Sequence, residues 1–270
     1  MSHGHAGSVQ SQRFKAPTAG ELLMELRAGP EFAAFLAAWP MLASAPRGDG
    51  HTVLVLPPFA ASDQYTSPLR SLLGALGYQA EGWELGHNLG RTSAVVDGVP
   101  RRLLELHERT GEPVSIVGWS MGGVLARELA REHPAAVRQV IGLSAPFLLK
   151  PEDTENTHGA LLYELVRHLQ EDPTPEMLLE EHVRGPLPVP YTAVYSRTDG
   201  VVDWNACVER VGRHAENVEV HGSHCGLGHN PAALIVVLDR LAQPLGQWSP
   251  FVAPRGTRCL FPRTDTSVAA

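Results

Sequence analysis

Short, solid hydrophobic runs alternate along this chain with longer stretches of spaced apolar residues. Thr52 to Leu56 (TVLVL), Pro113 to Val117 (PVSIV), Val137 to Leu143 (VRQVIGL) and Pro190 to Ser196 (PYTAVYS) are compact and rich in apolar and β-branched residues. Such runs are expected in strands covered on both faces. Between them, apolar residues recur every three or four positions. Tyr65 to Leu76 carries Leu69, Leu72, Leu73 and Leu76 on one face, and Val95 to Arg109, Val124 to His133 and Ala232 to Leu241 follow the same rule. These are expected as helices. Gly77 suits the C-terminal cap of the first, and Pro134 stops the third. Tyr78 to Trp83 and Val218 to Val220 are expected as further strands. The alternation predicts an α/β fold, a mostly parallel central sheet with helices on both faces.

The remaining segments do not continue that alternation. Met1 to Gly20 is rich in Ser, Gly, Gln and His, and is expected as a flexible tail. Glu21 to Ala45 has a broad apolar face of Leu22, Leu23, Leu26, Phe32, Phe35 and Leu36. We expect two helices there, split at Gly29-Pro30 and packed on the main domain. Phe147 to Pro188 mixes acidic residues and prolines with helix-like pieces at Ala160 to Gln170 and Pro175 to Val183. An insertion of this length is expected to be structured, as a helical cap over the site. Residues 21–244 are thus expected as one domain with the cap inserted at 147–188. Residues 245–270 form a proline-rich tail, pinned to the body by Trp248 and Phe251.

Composition narrows the class. With 270 residues and 43% apolar content, the chain can bury a sizeable core. The net charge is −7, and no basic stripe suggests a nucleic-acid partner. Cys207, Cys225 and Cys259 are odd in number and lack CxxC spacing, which argues against a disulfide framework and favours a reducing compartment. The first twenty residues hold no apolar signal core, and no run approaches the roughly 18 apolar residues of a membrane span. A cytoplasmic protein without an integral membrane segment is expected. The oligomeric state is not legible.

The chemistry centres on Gly118-Trp119-Ser120-Met121-Gly122, between an expected strand and an expected helix. Gly-x-Ser-x-Gly in that context is a nucleophile elbow. It needs Ser120 at the tip of a strained turn, and small residues where strand and helix backbones meet. The helix N-terminus behind Ser120 points free N–H groups at any oxyanion formed there.

On these residues the chain resembles the α/β-hydrolases of the serine esterase and lipase type, over about Thr52 to Pro244. The resemblance implies a second oxyanion donor in the loop after the first strand. There the usual His-Gly is replaced by Pro57-Pro58, so Phe59 falls in the donor position beside Met121. It also implies an acid after a late strand and a histidine after the last, in the order Ser, acid, His. Asp199, in Arg197-Thr198-Asp199-Gly200, has the expected turn position. Asp203 is its rival, better suited as a helix N-cap. Among His221, His224 and His229, His224 is best placed as the base, and His-x-Gly-Leu resembles the histidine loop of small bacterial lipases. His229 is expected to cap the last helix or line the pocket rim, with Trp119 and Trp83 as further substrate contacts. Asn88, in the glycine-rich loop after Trp83, is a further candidate for lining substrate, with loop packing as the alternative.

The expected function is therefore cleavage of carboxylic esters, of a small molecule or a lipid, through an acyl-enzyme, with no cofactor. The same three residues would equally serve an acyltransferase or a thioesterase. A non-catalytic binding protein on a hydrolase fold is the alternative of another class. A metal reading of His221, His224, Cys225 and His229 lacks both a known ligand spacing and a second half elsewhere.

Overall fold

In the computed structural model, residues 14–15, 17–149, 185–209 and 212–262 are described. Six strands form one sheet: β1 (Thr52–Leu56), β2 (Gln79–Gly82), β3 (Val114–Trp119), β4 (Val137–Leu143), β5 (Tyr191–Tyr195) and β6 (Ala215–Glu219). Their order across the sheet is β2-β1-β3-β4-β5-β6, and every pairing is parallel. The chain runs from β1 outward to β2, then returns past β1 to β3. The order therefore reverses between β1 and β3. In open α/β sheets, ligands bind at such a reversal, beyond the carboxyl ends of the strands.

Six helices accompany the sheet among the described residues: α1 (Ala19–Met24), α2 (Ala28–Leu42), α3 (Asp63–Ala75), α4 (Ser93–Thr110), α5 (Met121–Glu132) and α6 (Pro231–Leu241). The period of two along the strands divides them between two cores. Val53 and Val55 join Leu69, Leu72, Leu73, Leu234 and Val237, under α2, α3 and α6. Leu54 and Leu56 join Val99, Leu103, Val124 and Leu129, under α4 and α5. Burial of each such side chain stabilises by about 1.5–3 kcal/mol, so a strand apolar on both faces is strongly fixed in place.

Three elements differ from expectation. β6 begins at Ala215 rather than Val218, because its polar residues are paired and not solvated. Glu216 accepts from Thr192 Oγ1 at 3.0 Å and Arg240 Nη1 at 2.8 Å, and Glu219 accepts from Arg197 Nε at 2.9 Å. After Asp203 the helix is a single 3₁₀ turn, Trp204–Cys207. The N-terminal break falls at a 3₁₀ turn, Glu25–Arg27, ahead of Gly29-Pro30. Pro30 lies in the first turn of α2, where no intrahelical acceptor is due.

The N-terminal segment also departs from its expected packing. Phe35 and Leu42 are buried, but Leu23 is 66% exposed and Leu26 74%. The charged side chains Glu25, Arg27 and Glu31 instead turn toward the domain. Most of the expected cap, residues 150–184, lies outside the described residues, as does most of the expected N-terminal tail. In the C-terminal tail, Phe251 packs on the α2/α3/α6 core and donates its N–H to Glu216 at 2.7 Å. No helix of the described residues is long and apolar enough to cross a membrane.

Candidate active site

The turn at Ser120 is set by β3 on one side and α5 on the other. Ser120 has φ 52° and ψ −119°, a conformation that L residues rarely adopt. Its N–H donates to Leu143 O at 2.8 Å, and Gly123 and Val124 donate back to its carbonyl. The turn is thus over-determined by β4 and by the first turn of α5. The two glycines are required by space. A methyl on Gly118 would collide with the backbone of Gly122 and Gly123, and one on Gly122 with the carbonyl of Leu56. Only glycine lets the helix approach β1 and β3 so closely.

Two loops from the far half of the sheet reach this turn. Asp199 follows β5, and His224 follows β6. His224 Nδ1 lies 2.7 Å from Asp199 Oδ2, and His224 Nε2 lies 2.9 Å from Ser120 Oγ. All three side chains are buried. Asp199 is fixed by its other oxygen, which accepts the N–H groups of Val201 and Val202 at 2.9 Å. An ionised Asp199 accepts from Nδ1–H, which leaves Nε2 as the acceptor facing the serine hydroxyl. Burial pushes the His224 imidazole down, but the Asp199 carboxylate against it, with the Glu25 charge behind, raises it above its ordinary value. Asp203 is not part of this string. It caps the 3₁₀ turn through Asn205 N at 3.0 Å and accepts from Lys15 N at 2.9 Å.

The loop after β1 lies against the elbow, since the missing Cβ of Gly122 faces Leu56 and Pro57. It carries Phe59. Asn88, fully buried, fastens that loop: its Nδ2 donates to Pro57 O at 2.8 Å, and its backbone exchanges bonds with Ala60 and Ala61. Met121 opens α5, so its N–H is among the donors that a helix leaves without an intrahelical partner.

The other expected contacts occupy different positions. Trp83 has no exposed surface, belongs to the α4/α5 core and donates its indole N–H to Gly86 O at 3.0 Å. It therefore has no surface with which to line a pocket. Trp119 is buried beneath the histidine loop and donates to the carbonyl of His224 at 3.0 Å. His229 is enclosed by the rings of Phe32, Phe35, Tyr65 and Trp119, and burial holds its imidazole below the ordinary value. The cap of α6 is Asn230, which accepts from Ala232 N and Ala233 N and donates to His221 O at 2.8 Å. His221 is exposed. Among the described residues no group of three His, Cys, Asp or Glu side chains could hold a metal.

A second string of the same residue types lies at the opposite end of the sheet. His51 Nε2 is 2.9 Å from Ser115 Oγ, and its Nδ1 meets Asp49, which also pairs with Arg138 at 2.9 Å. Ser115 has no exposed surface and lies inside β3. Unlike Ser120, it has the extended backbone of a strand interior and does not precede a helix. The hydrogen-bond pattern therefore recurs in this chain; what distinguishes the string at Ser120 is the strained turn at the start of α5.

Sequence reasoning passed over Glu25, Arg27 and Glu31, which bond to the acid turn and the histidine loop. Their signal was present: three charged residues interrupt the apolar face of Glu21 to Ala45.

No protein-family model matches the sequence, and no curated protein matches it. Solved structures do resemble it. A pyrethroid hydrolase superposes with a TM-score of 0.52 at 16% identity, over 70% of this chain and 96% of that one. The structure reported for two metagenome-derived lipolytic enzymes, LipS and LipT, gives 0.52 at 18%, over 73% of this chain and 93% of that one. At such identities the likeness concerns the fold alone. The chain has the α/β-hydrolase fold.

Proposed function

We propose that this protein is a serine hydrolase that cleaves carboxylic esters through an acyl-enzyme on Ser120. The observation that carries this reading is the string Asp199–His224–Ser120, which ends on a strained elbow at the reversal of strand order. Ser120 Oγ attacks the ester carbonyl carbon, and its proton passes to His224 Nε2. Asp199 holds the tautomer and offsets the imidazolium charge. The carbonyl oxygen becomes an oxyanion that accepts from the N–H groups of Met121 and Phe59; each such donor contributes about 10²- to 10³-fold in rate. His224 then returns the proton to the leaving alcohol. A water molecule, deprotonated by His224, attacks the acyl-serine and frees the acid and Ser120. No step calls for a cofactor. One of the similar structures is a hydrolase by name and the other comes from lipolytic enzymes, which accords with this chemistry.

A panel of p-nitrophenyl esters of increasing acyl length, with and without acceptor alcohols, tests the reading. Release of free acid in water supports a hydrolase. Product appearing only as the ester of an added alcohol would make it an acyltransferase, and inertness toward every ester would refute the reading.

A further inference from the structure

The segment from Thr18 to Glu31 is turned inside out. Its leucines face solvent, while Glu25, Arg27 and Glu31 face the loops that carry Asp199 and His224. A capping box between Thr18 and Glu21 opens the segment and fixes its start. Glu25 then spans both loops with one carboxylate. One oxygen accepts the N–H of Gly200 at 2.8 Å and that of His224 at 2.9 Å, and the other accepts Cys225 N–H at 2.8 Å. Gly200 adjoins Asp199. Arg27 donates to Thr198 O at 2.9 Å and Gly222 O at 3.2 Å, and Glu31 accepts from Ser223 N and Ser223 Oγ at 2.8 Å. The loops have room for this segment only because they carry glycine where it presses. A Cβ on Gly200 would strike the Glu21 carbonyl, and one on Gly226 the Glu31 carboxylate.

We propose that Glu25 is a positioning residue for the site, tying the acid turn to the histidine loop so that the imidazole stays between Asp199 and Ser120. This rests on the hydrolase reading above. An ionised carboxylate is an acceptor only, with about four lone-pair sites, so three converging N–H groups suit it. An amide does not, because one of its ends is a donor. Glu25 also places a negative charge near the imidazole, which favours the imidazolium that forms in the transition state. The charged and titratable groups around His224 and Glu25 are Asp199 from the acid turn, Arg27 and Glu31 from the same segment, Cys225 beside the histidine, and Tyr65 from α3, whose hydroxyl donates to Cys225 O.

The test is Glu25→Gln in the full chain, followed on a p-nitrophenyl ester across the pH range. We expect kcat to fall between about 10- and 100-fold with KM little changed, and the low-pH limb of the profile to move to lower pH. Glu25→Asp keeps the charge and should leave that limb near its wild-type position. If Glu25→Gln folds poorly, Gly200→Ala displaces the segment while keeping Glu25, and should lower kcat in the same way. Unchanged kcat and an unmoved limb in Glu25→Gln would overturn the proposal. So would a lowered melting temperature with full activity in the cold. Failure of the hydrolase reading is separable, since wild type would then be inert to esters and to a fluorophosphonate. In that event the downfield proton resonance of His224 Nδ1–H decides. Its weakening in Glu25→Gln supports the positioning role, and its persistence unchanged overturns it.

Discussion

His224 Nε2 lies 2.9 Å from Ser120 Oγ, although 104 residues separate them in the chain. The two meet because β3 and β6 both end on the same side of a parallel sheet, and because Ser120 turns its hydroxyl out of the strand line at φ 52°. Strand order supplies the neighbourhood, and backbone strain supplies the aim.

The acid is tested by comparing Asp199→Asn with Asp203→Asn. An amide at position 199 can still accept from Val201 and Val202, but it presents a donor toward His224 Nδ1 or forces the wrong tautomer. We expect kcat to drop on the order of 10⁴-fold. Asn at position 203 remains a good cap for the 3₁₀ turn, so activity should stay within a few-fold. The reverse ranking would exchange the two roles.

The histidines separate by surroundings. His224→Ala removes the imidazole that touches both Ser120 and Asp199, and kcat should fall by several orders of magnitude. His229→Ala empties a space among Phe32, Phe35, Tyr65 and Trp119, and should cost about 2–5 kcal/mol of stability with a modest change in activity. His221 is exposed, so His221→Ala should alter neither. Thermal melts and kcat on one ester read all three.

The pH profile follows from the raised imidazole of His224. Activity requires the free base, so kcat/KM should fall as pH drops, with a limb above the ordinary imidazole value of about 6.5. The same shift has a stability consequence of fixed sign. The folded state binds the proton more tightly than the unfolded chain, so its contribution to stability is complete below the unfolded pKa and is lost as pH rises through the folded one. A limb well below 6.5 would contradict the environment described for His224.

Gly122→Ala should damage both fold and activity. Its methyl would collide with the Leu56 carbonyl, and relief requires moving α5 away from the loop that carries Phe59. A cost of about 1–3 kcal/mol is expected from the overpacking, with kcat reduced as Met121 and Phe59, the proposed oxyanion donors, separate. Chemical denaturation and kcat of the variant check both. Wild-type values for both would mean that the elbow and the β1 loop are not in contact.

Legibility in the sequence followed the physics of each element. β1 and β4 have the bounds read from their runs, because strands buried on both faces are mostly apolar; the two polar exceptions in β4, Arg138 and Gln139, are satisfied by Asp49 and by the Arg240 carbonyl. The start of β6 escaped because Glu216 is paired with Arg240 from another element, and such distant pairing leaves no mark on a local pattern. The elbow was legible because its strained turn demands glycine at fixed spacing. Trp83 was misplaced because an aromatic in a glycine-rich loop reads alike whether it lines a pocket or fills a core. Glu25 was hidden by the assumption that an amphipathic helix turns its leucines inward. Here the N–H groups of two loops face the segment, and the carboxylates of Glu25 and Glu31 take the inner face by accepting them.

The most direct measurement is fluorophosphonate labelling of wild type and Ser120→Ala, combined with kcat on the best ester of the panel. We expect the probe to attach to Ser120 alone, and Ser120→Ala to remain folded, unlabelled and slower by about 10⁶-fold. Attachment at another residue, or turnover by Ser120→Ala within tenfold of wild type, would contradict the assignment of Ser120 as the nucleophile.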